Sequence, residues 1–326
     1  MSTQVPALGT LLVNRYELVE ELGRGGCAVV FGAHDHRLAR AVAVKVPIGI
    51  AGDTAKVGRF AREARVIASI HHPNVCAVLD SGFTEDGAPF LVMERLFGES
   101  LRATIHRAKR LPVGDVIAIG LQLLSALDAV HAAGIVHRDV KPDNVILVSR
   151  GGCDPLVKLL DFGLCRRAAR RRADEETMTR EGALVGTPEY MAPEQVIGSA
   201  TLDARADIYA VGVVLYEALT GDRAFFAKNI RDILTGVMNK QLRPLREARR
   251  DAPRSLDVAV ARAMSREPAR RHATAAELQA DLVAVKEEIA ALARAAQRRA
   301  EAEVWDLPTT PFQRRLPPRR PPAPAG

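Results

Sequence analysis

The sequence predicts an α+β fold in two lobes, a small β-rich one followed by a larger helical one. Three observations predict it. Between Tyr16 and about Asp80, short β-branched runs alternate with turn residues and enclose one helical pattern. From Leu101 onward the apolar spacing is mainly that of helices. The chain has 326 residues, 48% of them apolar, enough to bury two sizeable cores.

Composition narrows the function classes. The net charge of +7 comes from 46 Lys+Arg against 39 Asp+Glu and is not gathered in one tract. Arginine greatly exceeds lysine and alanine is abundant, which reads as compositional bias, so no nucleic-acid partner is expected. Cys27, Cys76, Cys153 and Cys165 stand far apart with no C-x-x-C, neither a zinc spacing nor a disulfide framework. A reducing, cytoplasmic compartment is therefore expected. The opening MSTQVPALGT has no basic stretch followed by an apolar one, so no signal peptide is expected. No apolar run reads as the roughly 18 residues of a membrane helix, and the best candidate, Ile208 to Leu219, is short.

In chain order, residues 1–15 read as an N-terminal extension. Tyr16–Leu22 and Val29–Ala33 read as strands flanking a glycine cluster, and Ala41–Val46 as a third, after the polar connection Asp35 to Arg40. Lys56–Ile70 is helical, with Val57, Phe60, Ala64, Ile67 and Ala68 on one face, and it ends before Pro73. Ala88–Glu94 follows the turn Glu85-Asp86-Gly87 as another strand. Val113–Ala133 is a long apolar helix stopped by Gly134. Val145–Val148 and Leu156–Leu160 are strands joined by the loop Ser149 to Pro155. Arg166–Arg180 is polar and the least structured internal stretch. Ile208–Thr220, Ile230–Val237, Ser255–Ser265 and Thr274–Ala300 are helices, and after Trp305 the chain turns Pro/Arg-rich and is expected to be disordered. The expected division is a β-rich lobe over 16–96, a helical lobe over 97–285, and a tail over 286–326.

The first chemical motif is Gly23-Arg24-Gly25-Gly26-Cys27-Ala28-Val29-Val30, close to G-x-G-x-x-G-x-V. Glycines let backbone N–H groups approach phosphates. A dinucleotide loop needs a helix directly after it, yet a strand follows here, and the Gly-Lys-Ser/Thr of a Walker loop is absent. An ordinary hairpin remains the alternative for this motif by itself. The second motif is Val42-Ala43-Val44-Lys45. An ammonium within a β-branched run needs a partner, and Glu63 on the following helix is the natural one.

Three further motifs follow in order: His137-Arg138-Asp139-Val140-Lys141-Pro142-Asp143-Asn144, then Asp161-Phe162-Gly163, then Gly186-Thr187-Pro188-Glu189-Tyr190-Met191-Ala192-Pro193-Glu194. With these the chain resembles the protein kinases, and among them the eukaryotic-like (Hanks-type) serine/threonine kinases of bacteria, over roughly residues 16–285. The resemblance implies a bilobal kinase fold, ATP with Mg²⁺ (or Mn²⁺), and transfer of the γ-phosphate to Ser/Thr hydroxyls of protein substrates.

It also implies roles. Lys45, paired with Glu63, would hold the α- and β-phosphates. Asn144 and Asp161 would ligate the metal. Asp139 would orient the acceptor hydroxyl and take its proton. Lys141 would neutralise the γ-phosphate, and Thr187 would contact Asp139 and Lys141. Residues Gly23 to Val30 would cover the phosphates. Leu22, Val30, Ala43 and Ile146 would sandwich the adenine, with Met93 guarding the back of the pocket. Main-chain groups of Glu94 and Leu96 would bond the adenine edge. Asp207 would anchor the catalytic loop from a buried helix, and Glu194 and Arg271 would form a structural ion pair. One departure is Ala28 at the third glycine position, where alanine costs little if its φ is negative.

Regulation is expected through trans-autophosphorylation at Thr177 or Thr179 in a transient homodimer. The phosphate would sit among Arg138, Arg59 and Arg166. Arg170-Arg171-Arg172 reads as a solvated turn or a docking point for acidic substrates. Leu278, Leu282, Val285, Ile289, Leu292 and Ala296 keep a heptad spacing too short to argue a coiled coil, so the start of that helix is expected to pack and its end to project. The alternatives to an enzyme are a nucleotide-binding scaffold, which has no need of Asp139, Asn144 and Asp161 together, and a small-molecule kinase, disfavoured by the complete Gly186–Glu194 segment.

Overall fold

The structure, a computed structural model, describes residues 5–50, 52–161, 187–199, 201–239 and 242–305. It divides into two compact units, 1–286 and 287–326.

The first unit opens with an antiparallel six-stranded sheet in the order β1-β2-β3-β4-β6-β5. Its strands are β1 (Leu11–Leu12), β2 (Tyr16–Arg24), β3 (Ala28–Asp35), β4 (Arg40–Pro47), β5 (Val78–Phe83) and β6 (Pro89–Glu94). The two-residue period sorts the side chains by face. Val29, Phe31, Val42, Val44, Val46, Phe90 and Val92 enter one core with Leu12, Tyr16 and Leu18. Leu11–Leu12 pairs with Glu17 and Tyr16, so part of the stretch read as an extension is built into the sheet. Between β4 and β5 lies α1 (Thr54–Ala68), started by the Asp53 carboxylate accepting the Lys56 N–H at 3.0 Å. It buries Phe60, Ala64 and Ile67, three members of the face predicted for it.

The helical part follows. Its elements are α2 (Leu101–Ala108), α3 (Val113–Ala132), α4 (Pro193–Val196), α5 (Arg205–Thr220), α6 (Ile230–Asn239), α7 (Leu245–Ala248), α8 (Arg254–Ala263) and α9 (Ala275–Trp305). A three-stranded sheet, β7 (Gly98–Ser100), β8 (Val145–Arg150) and β9 (Cys153–Leu159), lies among them in that order. The loop expected from Ser149 to Pro155 is shorter than its sequence suggests. Gly151 and Gly152, both at positive φ, turn the chain so tightly that Cys153 already pairs with Arg150.

α5 is the hub: every residue from Ala206 to Leu219 is buried. It ends at Gly221, whose φ of +81° is left-handed and whose missing Cβ makes room for the Lys109 carbonyl. α3 packs close to it, Gly120 lying against Leu215 and Leu282. The most apolar long run is α3, not the Ile208–Leu219 stretch expected. α3 is long and apolar enough to cross a membrane by length and composition alone. In this fold it buries Val116, Ile117, Leu123, Leu124, Leu127 and Val130 in the core of the helical part.

α9 begins in the first unit, where Leu278, Leu282 and Val285 are buried as expected. In the second unit its described residues are largely exposed, Leu292 among them.

Candidate active site

The segment His137–Asn144 connects α3 to β8, and its shape is set from beneath. The Asp207 carboxylate on α5 accepts the backbone N–H groups of His137 at 2.8 Å and Arg138 at 2.7 Å, and lies 2.8 Å from His131 Nε2. Arg138 adopts a φ of +67°, a left-handed conformation that costs a non-glycine residue about 1–3 kcal/mol. Buried charge-assisted bonds from Asp207 offset that cost. The His137 ring, fully buried, sits 2.8 Å from the Leu160 carbonyl and 3.3 Å from the Asp139 N–H. Gln195 donates to the Arg138 carbonyl at 3.1 Å, tying α4 to the same segment.

On this base the polar side chains converge. Asn144 Nδ2 donates to the Asp139 carbonyl at 2.8 Å and to Asp139 Oδ2 at 3.1 Å. Lys141 Nζ lies 3.3 Å from Asp139 Oδ2 and 3.5 Å from Thr187 Oγ1. From the sheet above, Lys45 on β4 stands opposite Val30 of β3 and reaches Asp161 Oδ1 at 2.6 Å. Asp161 also has a left-handed φ, +56°. Burial raises its carboxyl, but the Lys45 charge and hydrogen bond, with His137 and Lys141 further off, outweigh that and hold it below the usual carboxylate range. Asp161 is therefore an anion paired with the Lys45 ammonium.

These groups line one cleft of about 710 Å³. Its walls are Leu22, Gly23, Arg24, Gly25, Gly26, Cys27, Ala28, Val30 and Lys45 from the sheet, and Asp139, Lys141, Asn144, Asp161 and Thr187 from below. Ala28 is not among the residues at positive φ, so the third glycine position makes no left-handed demand here.

Other sequence-predicted residues do not line it. Val29 is a correction: alternation turns it into the sheet core, fully buried, while Val30 faces the cleft. Ala43 shares the Lys45 face of β4 and pairs with Met93 of β6, and Ile146 lies on β8 opposite Ser100. Glu94 and Leu96 follow at the end of β6, half-buried. Glu63 is half-buried on α1, and the ion pair described at Lys45 is the one with Asp161. Thr177, Thr179, Phe162, Gly163, Arg166, Arg170, Arg171, Arg172 and Gly186 lie outside the described residues.

The sequence reading missed two cleft residues, Ser100 and Asp143, and the cluster behind them. Arg102 on α2 lies 3.3 Å from Asp143 Oδ2 and also donates to Glu217 and to the Tyr190 hydroxyl, which itself donates to Glu217 Oε2 at 2.5 Å. Burial, with Glu217 alongside, pushes the Tyr190 hydroxyl well above the usual range. Only the proximity of Asp143 to Asn144 could have flagged it. The anchors assigned to Glu194 and Arg271 are present: the pair is bidentate, at 2.6 and 2.8 Å, with Arg271 buried.

Comparison with known proteins places this geometry. The protein kinase domain model matches residues 16–285. The serine/threonine-protein kinase Pkn3 of Myxococcus xanthus is 38% identical over 284 residues, covering 86% of this chain and 52% of that protein. PknB of Mycolicibacterium smegmatis, also named a serine/threonine-protein kinase, is 40% identical over 284 residues, covering 85% of this chain and 44% of PknB. The chain thus spans about half the length of the curated relatives it matches. Among solved structures, the kinase domain of Mycobacterium tuberculosis PknI superposes with a TM-score of 0.67 at 27% identity, covering 86% of this chain and all of that one.

Proposed function

The chain belongs to the protein kinase family, and from that membership we propose that it transfers the γ-phosphate of ATP to serine or threonine hydroxyls of proteins. The observation that carries the reading is the convergence of Lys45, Asp139, Asn144 and Asp161, spread over 117 positions, on one cleft roofed by the glycine turn.

Each group has work in that reaction. Backbone N–H groups of the glycine turn, other than that of Gly25, which closes the turn on the Ala28 carbonyl, bind the phosphates with the Lys45 ammonium, and Lys45 releases Asp161 as it does so. Asp139 orients the acceptor hydroxyl and takes its proton as the oxygen attacks phosphorus and the bond to the β-phosphate oxygen breaks. Lys141, beside both Asp139 and Thr187, balances charge on the transferred group.

The donor set suits Mg²⁺. Asp161 is held ionised, and Asn144 turns its amide nitrogen to Asp139, which leaves its oxygen for a hard cation. Asn144 and Asp161 would hold the ion, with ATP phosphates and water as its further ligands. When bound, the ion neutralises phosphate charge.

We extend the proposal to regulation by trans-autophosphorylation at Thr177 or Thr179 through a transient homodimer. We further propose a reducing, cytoplasmic compartment, from the four widely separated cysteines of the sequence. A radiolabelled-ATP assay on purified chain with a protein acceptor, Asp139→Asn as control, tests the activity. Intact-mass analysis after ATP tests the threonines. Absence of Asp139-dependent label on Ser or Thr sinks the reading and favours a scaffold.

A further inference from the structure

Glu94 closes β6, and its carboxylate is fixed more firmly than a strand end requires. Its Oε1 accepts the Ala77 N–H at 2.7 Å and the Lys158 ammonium at 2.6 Å. Its own N–H donates to the Ala77 carbonyl at 3.0 Å. Lys158 lies on β9, opposite Ile146 and three residues before Asp161. Its side chain is only 11% exposed. A buried ammonium without an acid nearby is strongly unfavourable, so the pair with Glu94 is the condition for placing a lysine there.

Between the two residues runs the segment from Asn74 to Ala77, which is stitched to both sides. The Leu159 N–H donates to the Asn74 carbonyl at 2.8 Å, and the Cys76 N–H donates to the Leu159 carbonyl at 3.0 Å. Lys158 Nζ also reaches the Val75 carbonyl at 3.4 Å. β9, which leads to Asp161, and the end of β6, where the adenine-bonding main chain begins, are thus joined by a buried ion pair and a four-residue splice. Beyond Glu94 the chain has less to hold it: Arg95 and Leu96 are half-buried and Phe97 is exposed.

We propose that Lys158, acting through Glu94, is a positioning residue that sets the spacing between the purine end and the phosphate end of the nucleotide site. The inference rests on the kinase reading. Without Lys158, Glu94 keeps only Ala77, and the main chain at the end of β6 is no longer registered against the strand that delivers Asp161. Nucleotide affinity suffers first, because the triphosphate stays anchored by Lys45 and the glycine turn while the purine contacts lose alignment.

The test uses the full chain with Lys158→Met, Glu94→Gln, the double variant, and Arg271→Met as a stability control from outside the seam. Arg271 bonds Glu194 and the Arg205 carbonyl. The expected result is an about tenfold rise in both KM for ATP and Kd for ADP in Lys158→Met, with kcat within about threefold. Glu94→Gln, which keeps an oxygen for both donors, shows a smaller rise, and the double variant is no worse than Lys158→Met. Arg271→Met lowers Tm with KM for ATP unchanged. Unchanged ADP affinity in Lys158→Met overturns the proposal, as does a loss confined to Tm and kcat. If Lys158→Met does not fold, the near-isosteric Glu94→Gln decides alone, and unchanged affinity there overturns it. A wild-type chain that neither binds ADP nor phosphorylates removes the kinase reading itself, a result distinct from intact activity with indifferent variants.

Discussion

Asp207 holds Arg138 by the backbone: its Oδ1 accepts the Arg138 N–H at 2.7 Å, where Arg138 carries a φ of +67°. The relationship is one of strain and restraint. A left-handed arginine turns the chain so that Asp139 faces the cleft, and a buried carboxylate on α5 keeps it turned. Asp207→Asn replaces one of two acceptor oxygens with a donor facing an N–H. We expect kcat to fall at least about tenfold, with a stability loss of about 2–3 kcal/mol, since hydrogen bonds to a charged group contribute about 1.5–3 kcal/mol each. Urea unfolding alongside steady-state kinetics checks both. Full activity in the variant would remove the positioning role.

Asp139→Asn separates chemistry from binding. In the proposed reaction the amide cannot take the acceptor proton, so kcat is expected to drop by about 10²–10⁴-fold, the usual contribution of a general base. Kd for ADP is expected to stay within about threefold, because in the proposed reaction Asp139 serves the acceptor hydroxyl, and its carboxylate lies beside Lys141 and Asn144. Calorimetric titration of ADP into the variant provides the second number.

Arg271→Met breaks a bidentate pair whose guanidinium is buried beneath α4 and α5 and also bonds the Arg205, Ser265 and Arg266 carbonyls. Glu194 is left as an uncompensated anion, a loss of about 3–5 kcal/mol. Thermal unfolding of the variant measures it. A Tm shift of under about 5 °C would mean that water reaches Glu194 more easily than its burial indicates.

Acid sensitivity has an identifiable contributor in the sheet. Asp35 accepts two hydrogen bonds from Arg15 at 2.8 Å, and that contact, against burial, lowers its carboxyl from 3.8 to about 2. A carboxylate with a depressed folded pKa stabilises the fold above its unfolded pKa and loses that contribution as pH falls through the folded one. The Tm difference between wild type and Asp35→Asn is therefore full above about pH 5 and closes between about pH 4 and 2. A difference independent of pH would assign the effect to packing.

Ala28→Gly tests the departure at the glycine turn. The Ala28 backbone makes no left-handed demand, and its carbonyl accepts the Gly25 N–H at 2.9 Å to close the turn. KM for ATP is expected to stay within about threefold, with Tm slightly lower because glycine adds unfolded-state entropy.

What the sequence by itself determined is the set of chemical groups and their local settings. The strand carrying Lys45, the loop carrying Asp139 to Asn144, and the long helices were all legible, because period and turn chemistry are local signals. So was the Asp207 anchor, through the resemblance. Val29 was misplaced because a motif names a run of residues, whereas a pleated strand sends neighbours to opposite faces. The shortened hairpin at Gly151 and Gly152 was missed for a related reason: two successive left-handed glycines turn in less chain than a loop-rich composition suggests. Only the tertiary structure decided that Lys45 meets Asp161 across 116 residues, Lys158 meets Glu94 across 64, and Arg102 gathers Asp143, Tyr190 and Glu217. Those pairings depend on how two sheets and a buried helix pack, and burial makes an ion pair compulsory without recording its partner in either residue's own sequence neighbourhood.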